Sequence, residues 1–465
     1  MAGHSIPQPL QLEGMEGKGD WEGHFYAEGC ALARASAEAY FVQLDEELYQ
    51  DRPAGWKVIG FRERRLLTRF GEVVLRRRLY QDEAGVSHFL VDEHLGLPAK
   101  QAATPSLQEA VVAMTTDVAY RKAAKHVTAL TAGVLEATTV WRLTQRVGAA
   151  ALAQEAQDGE AVYKQGQRPH QEGRRVAERL FVEADGVYVR LQREEQRHLE
   201  IKSAIAYEGW ERLGGALERY RLQEKRVYVH GVSNLAFWEG AGLALGRHWD
   251  WSRVQHVVLG GDGAAWIAAG TEWLAESVRQ LDGFHLARAT GRALGQENGH
   301  ILYQTIRAGD FAAAQTLWEQ APKRQQKSTQ RDIRWLDQLL ADQQGQDWRS
   351  RLALDPACQR GLGAMEGNGA HLIADRMKGK GRSWSRRGAC HMAKVRQLVL
   401  NAELHLWCGR MPTTTPSPSP TNQRPKRRKL RDTSSWLHAH VPALYGPHSQ
   451  RPWARRLHSQ IHSTD

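Results

Sequence analysis

The feature that most narrows what this chain can fold into is a change of hydrophobic period after residue 178. Three strand-like runs come first, Arg179 to Leu191, Glu200 to Tyr207 and Arg226 to Val232. Only then does the pattern become helical, at Leu235 to Leu245, followed by a strand at Val254 to Leu259, a helix from Ala264 to Gln280 and a strand at Leu281 to Leu286. Strands of period two must bury at least one face, and later strands separated by helices are joined by crossovers, so one mixed sheet covered by helices is expected.

Three early strands and then alternating helices and strands is the order of a ribonuclease H-like core. The expected class is α/β, with that core at 177–408 and a polar helical insertion at about 287–354 that has no strand pattern of its own. At 465 residues the chain has length for two or three folded units, and 42% apolar residues can fill their cores. Residues 1–100 hold an amphipathic helix near Tyr26 to Tyr49 and a hairpin in which Arg65-Leu-Leu-Thr-Arg-Phe and Glu72-Val-Val-Leu-Arg-Arg-Arg-Leu-Tyr80 meet through Gly71. Residues 101–150 hold three helical segments, Ser106 to Thr116, Tyr120 to Leu130 and Thr138 to Val147.

Those three segments fit a helix-turn-helix in which Val140, Leu143 and Val147 face inward and Arg142, Gln145 and Arg146 point outward. They fit a helical linker bundle with a solvated basic face equally well. A polar linker is expected at 150–176, and a Thr/Ser/Pro-rich linker with a basic tail, Arg424-Pro-Lys-Arg-Arg-Lys-Leu-Arg431, at 411–465.

A net charge of +11 and a pI near 9.5 favour a polyanionic partner. No long apolar run and no basic-then-apolar leader pattern is present, so a cytoplasmic, nucleoid-associated protein is expected. Cys30, Cys358, Cys390 and Cys408 include no C-x-x-C pair, which speaks against a disulfide framework or a zinc knuckle.

Two acids end apolar runs, in Phe181-Val-Glu-Ala-Asp185-Gly and Val257-Val-Leu-Gly-Gly-Asp262-Gly. Carboxylates at adjacent strand ends can share divalent cations, and neighbouring glycines let a phosphodiester approach. Asp-Gly is also a common turn dipeptide and recurs at Asp158-Gly159 and Asp282-Gly283, so the dipeptide alone decides nothing. Glu366, opening a helical segment beyond the insertion, would complete three carboxylates, enough for two Mg2+ or Mn2+ ions. His285 reads either as a buried, hydrogen-bonded histidine or as a contact to a scissile phosphate. The stretch Arg376-Met-Lys-Gly-Lys-Gly-Arg-Ser-Trp-Ser-Arg-Arg387 offers Arg376, Lys378, Lys380, Arg382, Arg386 and Arg387 to a DNA backbone, with Trp384 either stacking on a base or packing in the core.

Five ordered blocks, Val182-Glu-Ala-Asp-Gly-Val-Tyr-Val-Arg-Leu-Gln192, Ala206-Tyr-Glu-Gly-Trp-Glu211, Gly261-Asp-Gly-Ala-Ala-Trp-Ile267, Leu281-Asp-Gly-Phe-His-Leu286 and Trp384-Ser-Arg-Arg-Gly388, resemble the Lre-type bacterial insertion-sequence transposases. The resemblance implies a DDE transposase whose catalytic and metal-holding acids are Asp185, Asp262 and Glu366. It adds His285 through an Asp-x-x-His feature shared with Mutator-like transposases, in a block that usually has a basic residue where this chain has Gly283. Double-stranded DNA, as element ends and target, is the implied partner, bound by a homo-oligomer that holds two ends together. A domesticated DNA-binding protein without turnover and a non-transposing nuclease are the alternatives.

Overall fold

The computed structural model describes residues 21–98, 101–169, 172–214, 219–230, 236–274, 277–324, 326–351, 362–379 and 381–409. The expected basic tail, Lys380 and Cys358 lie outside them.

Helix α1 (Trp21–Gln50) lies along an antiparallel hairpin of β1 (Lys57–Thr68) and β2 (Gly71–Gln81). The hairpin is longer than the sequence pattern suggests and turns at Gly71, whose φ of +111° few side chains tolerate. Short β3 (Ser87–His88) and α2 (Leu90–His94) close this part, where buried Asp92 pairs with both Arg64 at 2.7 Å and Arg77 at 2.9 Å.

The expected three helices follow as α3 (Pro105–Thr115), α4 (Tyr120–Leu130) and α5 (Ala137–Gly159), with Val140, Leu143 and Val147 buried. Where a polar linker was expected from residue 150, α5 continues to Gly159 and ends in a π turn, Glu160–Lys164. Ala150, Ala151 and Glu155 are buried there, and Glu155 pairs with Lys394 at 2.6 Å. The composition looked like a linker because the partner of its buried carboxylate is more than two hundred residues away.

Strands β4 (Arg179–Arg190), β5 (His198–Tyr207) and β8 (Arg226–Val229) form an antiparallel run, and a separate ribbon of β6 (Gly209–Leu213) and β7 (Arg219–Gln223) projects between the last two. Helix α6 (Phe237–Gly246) leads to β9 (His256–Gly261), and short α7 (Ala265–Ala268) with a 3-10 turn leads to β10 (Ser277–Leu281). The five-stranded sheet has the order β10-β9-β4-β5-β8, with β9 parallel to both β4 and β10. The last strand is therefore at Ser277–Leu281 and not at Leu281 to Leu286 as expected, and the expected long helix after Asp262 is a short one. Apolar residues of a short buried strand and of a helix look alike in sequence when no polar face marks the period.

Helices α8 (Gly283–Leu294), α9 (Gln296–Ala308), α10 (Phe311–Gln320), α11 (Gln330–Ala341) and α12 (Trp348–Arg351) follow, where a polar helical region was expected at about 287–354. They carry a core of their own around Leu286, Leu302, Ile306, Trp318 and Leu336. Then come α13 (Ala364–Gly369), a π turn Ala370–Ala374, α14 (Asp375–Met377) and α15 (Arg386–Leu400).

Strand alternation sorts β4 into two cores. Leu180, Val182 and Ala184 join α6, Trp249 and Ile267 on one face, while Phe181, Val187 and Val189 join Trp348, Ile373, Met377, Trp384 and Met392 on the other. Every residue of α15 from Gly388 to Leu398 is buried, which fits a helix enclosed between the sheet and α5. Its buried cations, Lys394 and Arg396, are satisfied internally. Arg396 donates to the carbonyls of Thr116, Leu372 and His371, and Lys394 to Glu155 and Gln397. Among the described residues no helix is long and apolar enough to cross a membrane.

Candidate active site

Strand parity and register build the site. Asp185 shares the face of Phe181 and Glu183 on β4, and Asp262 and Asp282 fall on the same parity as Val258 on β9 and Val278 on β10. Glu183 is opposite Gly260, and Gly260 opposite Gln280, so two residues on, Asp185, Asp262 and Asp282 follow one another across β4 and the ends of the parallel strands β9 and β10. Neighbouring strands are about 4.8 Å apart, which sets the spacing of this row. Ala184, Leu362, Gly363, Met365 and His285 line the same cleft.

Each acid is held locally. Asp185 Oδ1 accepts the Gly186 N–H at 2.7 Å, and Asp262 Oδ1 accepts the Ala264 N–H at 2.9 Å across a turn at Gly263. Gly263 has φ +93°, and a Cβ there would meet Leu281 and Trp335 Nε1 at 3.2 Å, so the Asp-Gly pair is a required turn as well as a site. Arg279, on the next strand, donates to the Gly263 carbonyl at 3.3 Å. Burial lowers its pKa and the nearby Asp262 charge raises it again.

Asp282 caps α8, accepting the Phe284 N–H at 3.0 Å, and its other oxygen is 2.6 Å from His285 Nδ1. The Asp-x-x-His feature thus lies on a strand end and the first turn of a helix, where the sequence pattern suggested a strand. Spacing three places the imidazole over its own cap.

Glu183, two residues before Asp185, was not singled out in the sequence. Burial raises its pKa, the Tyr207 hydroxyl and the Met365 and Ala364 N–H groups lower it, and the Asp282 charge raises it further. The signal was available: a carboxylate in mid-strand within an apolar run, with the same parity as the candidate acid, is rarely solvated.

Glu366 is the third residue of α13, directly after Met365, so its backbone adjoins the cleft. Its side chain lies outside the described residues. Among the described residues no group of three or more His, Cys, Asp or Glu is disposed to hold a metal ion.

The expected DNA-binding residues separate into two sets. Arg142, Lys378 and Arg387 are exposed, and Arg146, Arg382 and Arg386 are half-buried. Gln145 does not point outward: its Oε1 is 2.8 Å from His391 Nδ1, inside the α5–α15 contact. Arg376 is buried as well, donating from Nε to the Thr115 carbonyl at 2.7 Å, with its guanidinium over Tyr120 and Trp384. It caps the end of α3 and is not available to a phosphate. Trp384 packs in the core and donates to the Met377 carbonyl at 3.0 Å. Exposed cations that the sequence pattern did not bring forward lie on α4, which carries Arg121, Lys122 and Lys125 and no acidic residue.

The sequence model of an uncharacterised protein family (UPF0236) matches residues 28–407. Relatives include a "UPF0236 protein in vanSb 3'region" of Streptococcus gallolyticus, 27% identical over 362 residues and 75% of each chain. A UPF0236 protein of Caldanaerobacter subterraneus subsp. tengcongensis is 23% identical over 380 residues, 80% of this chain and 76% of its own. Another from that organism, whose name joins eleven locus designations, is 24% identical over 383 residues, 80% of this chain and 75% of its own. These findings correct the expected membership of the Lre-type transposases. The matching family is described only as uncharacterised, and neither it nor the relatives' names tie the chain to that type.

Proposed function

The chain belongs to the uncharacterised family UPF0236, and from the carboxylate row we propose that it is a metal-dependent DNA strand-cleaving and strand-joining enzyme, a transposase built on a ribonuclease H-like core. The order β10-β9-β4-β5-β8, three antiparallel strands followed by two parallel ones, supports that core. The observation that carries the proposal is the in-register placement of Asp185 and Asp262 on one face of adjacent parallel strands, with the helix bearing Glu366 starting at the same cleft. A relative whose name joins eleven loci is what a gene copied within a genome produces, which favours a mobile element over a fixed nuclease.

The donor set fits Mg2+ or Mn2+: Asp185, Asp262 and Glu366 are hard oxygen ligands, and like charges gathered in one place gain most from a shared cation. Two bound ions would activate an attacking water or 3′-hydroxyl and stabilise the leaving oxygen. The chain supplies the rest. His285 Nδ1 lies 2.6 Å from Asp282 Oδ2, which orients the ring in the cleft, where it would contact a phosphate oxygen of the DNA. The turn at Gly263 keeps the backbone low beside Asp262, so a phosphodiester can come close. Exposed Arg121, Lys122 and Lys125 on α4, together with Arg142, are the contacts to duplex phosphates, and α5 serves as the support behind them. Two DNA ends must be held at once, so a homo-oligomer on DNA is part of the proposal.

The test is purified protein on labelled duplexes made from the DNA flanking its gene, with Mg2+, Mn2+ or Ca2+. Nicking and joining are expected with Mg2+ or Mn2+, and binding without reaction with Ca2+, whose coordination is looser. Replacing Arg121, Lys122 and Lys125 with Gln should weaken all duplexes alike and reduce the salt slope by about one for each phosphate no longer neutralised. Binding without cleavage under every metal would identify a domesticated DNA-binding protein instead, and cleavage that never leads to joining a plain nuclease.

A further inference from the structure

Two residues before those acids lies a second row, also in register: Glu183 is opposite Gly260, and Gly260 opposite Gln280. Strand alternation puts it on the same face, one layer deeper. Both polar members hold the start of another segment. Gln280 Oε1 accepts the Trp348 N–H at 2.7 Å. Glu183 does more: Oε2 accepts the N–H groups of Gly363 at 3.2 Å and Met365 at 3.0 Å, and Oε1 accepts the Ala364 N–H at 3.2 Å and the Tyr207 hydroxyl at 2.5 Å.

Three successive backbone donors that open a helix have no partner within it, and a buried carboxylate is costly without donors. Each requirement answers the other. Gly260 makes room between them, because a Cβ there would come 3.0 Å from Glu183 Cγ and 2.9 Å from Leu362 Cδ1. Tyr207 is fixed in turn, its ring stacked on Phe181 with centroids 5.3 Å apart. The carboxylate therefore sits in a rigid frame made by β4 and β5.

We propose that Glu183 is a positioning residue that fixes the start of α13, and with it the backbone at Glu366, against β4 one layer below Asp185. The inference rests on the reading of Asp185, Asp262 and Glu366 as one site. The sheet holds two acids by strand register alone, but the third comes on a separate segment and needs a tie to reach the same row. Glu183 supplies that tie through backbone atoms, so its loss should release the third acid and leave the other two in place.

The experiment compares wild type with Glu183→Gln in the full chain, by hydrogen exchange and by turnover. A carboxamide offers one oxygen where the carboxylate offers two, so half of the four donors would face an NH2 group. Exchange at Gly363, Ala364 and Met365 should rise about tenfold or more while the strand amides of β4 and β9 keep their protection. Metal-dependent kcat, taken per folded molecule, should fall by at least about tenfold with little change in KM for DNA, and the retained protection of β4 and β9 separates this from a general loss of folding. Tyr207→Phe removes one donor and keeps the carboxylate, and should raise exchange at the same amides by a smaller factor. Should Glu183→Gln not fold, Glu183→Asp carries the same expectation, because the shorter side chain withdraws the carboxylate from the α13 amides. Unchanged exchange at those three amides in a folded Glu183 variant, or full turnover despite their release, would overturn the proposal. If wild type cuts no DNA with any metal, it is the functional reading that fails, and exchange at 363–365 still decides whether Glu183 holds α13.

Discussion

Two regions of this molecule keep carboxylates out of bulk water, and they do so in opposite ways. Behind α15, Glu155 meets Lys394 at 2.6 Å, the Tyr228 hydroxyl donates to it at 3.1 Å, and Gln397 accepts from the same lysine at 2.9 Å. Charge is balanced one to one. On one face of the sheet, beside the ends of β9 and β10, Asp185, Asp262 and Asp282 stand in one row with Glu183 beneath, and what steadies them is chiefly backbone N–H groups and one histidine. Negative charge accumulates there. A balanced cluster specifies packing, whereas a row of like charges opposes folding and persists where something else uses it.

The comparison predicts its largest effect in the balanced cluster. Lys394→Met leaves Glu155 buried with its counter-charge gone, and urea unfolding should show a loss of about 3–5 kcal/mol. Adding Glu155→Gln should recover most of that loss, since the pair removed together leaves no orphaned charge. Additive losses in the double variant would mean that the two side chains act separately, and the contrast with the acid row would lose its basis.

A smaller effect concerns the histidines around this cluster. Burial pushes His230 down to about 4, with Glu155 opposing and Lys394 and Lys202 assisting, and burial beside Arg387 pushes His391 down to about 4. Both are bases whose folded pKa is below the unfolded value of about 6.5, so between those two values the unfolded chain binds more protons. Stability should be full above pH about 6.5 and decline as pH falls toward 4. Melting temperatures measured across that window should drop steadily for wild type and more gently for His391→Gln. An identical slope in the variant would show that the imidazole is not what the pH change reads.

What could be read from the sequence follows the same division. That Asp185 and Asp262 share one face of the sheet was legible because strand parity is a local property, but the expected strand end at Asp185 was not found: β4 continues through it to Arg190. The hairpin, the three helices before the sheet and the helical region after it were legible because their periods are local too. The continuation of α5 was not, because Glu155 reads as a solvated residue until Lys394 is known to face it. Gln145 and Arg376 looked like surface groups for a like reason: their partners, His391 and Thr115, lie on distant segments. The last strand was placed too late because Ser277–Leu281 is short and borders an apolar helix start, with no period to separate them.

The central claim is that the carboxylate row exists to hold a cation, and thermal unfolding with and without metal tests it most directly. Without divalent ions, Asp262→Asn should be as stable as wild type or more so, since it keeps the turn acceptor and relieves repulsion. With Mg2+ or Mn2+ at about a hundred times its dissociation constant, wild type should gain about 2.7 kcal/mol and melt measurably higher, and Asp262→Asn should gain little. A wild-type protein indifferent to both metals, or an Asp262→Asn variant stabilised by them equally, would contradict the account.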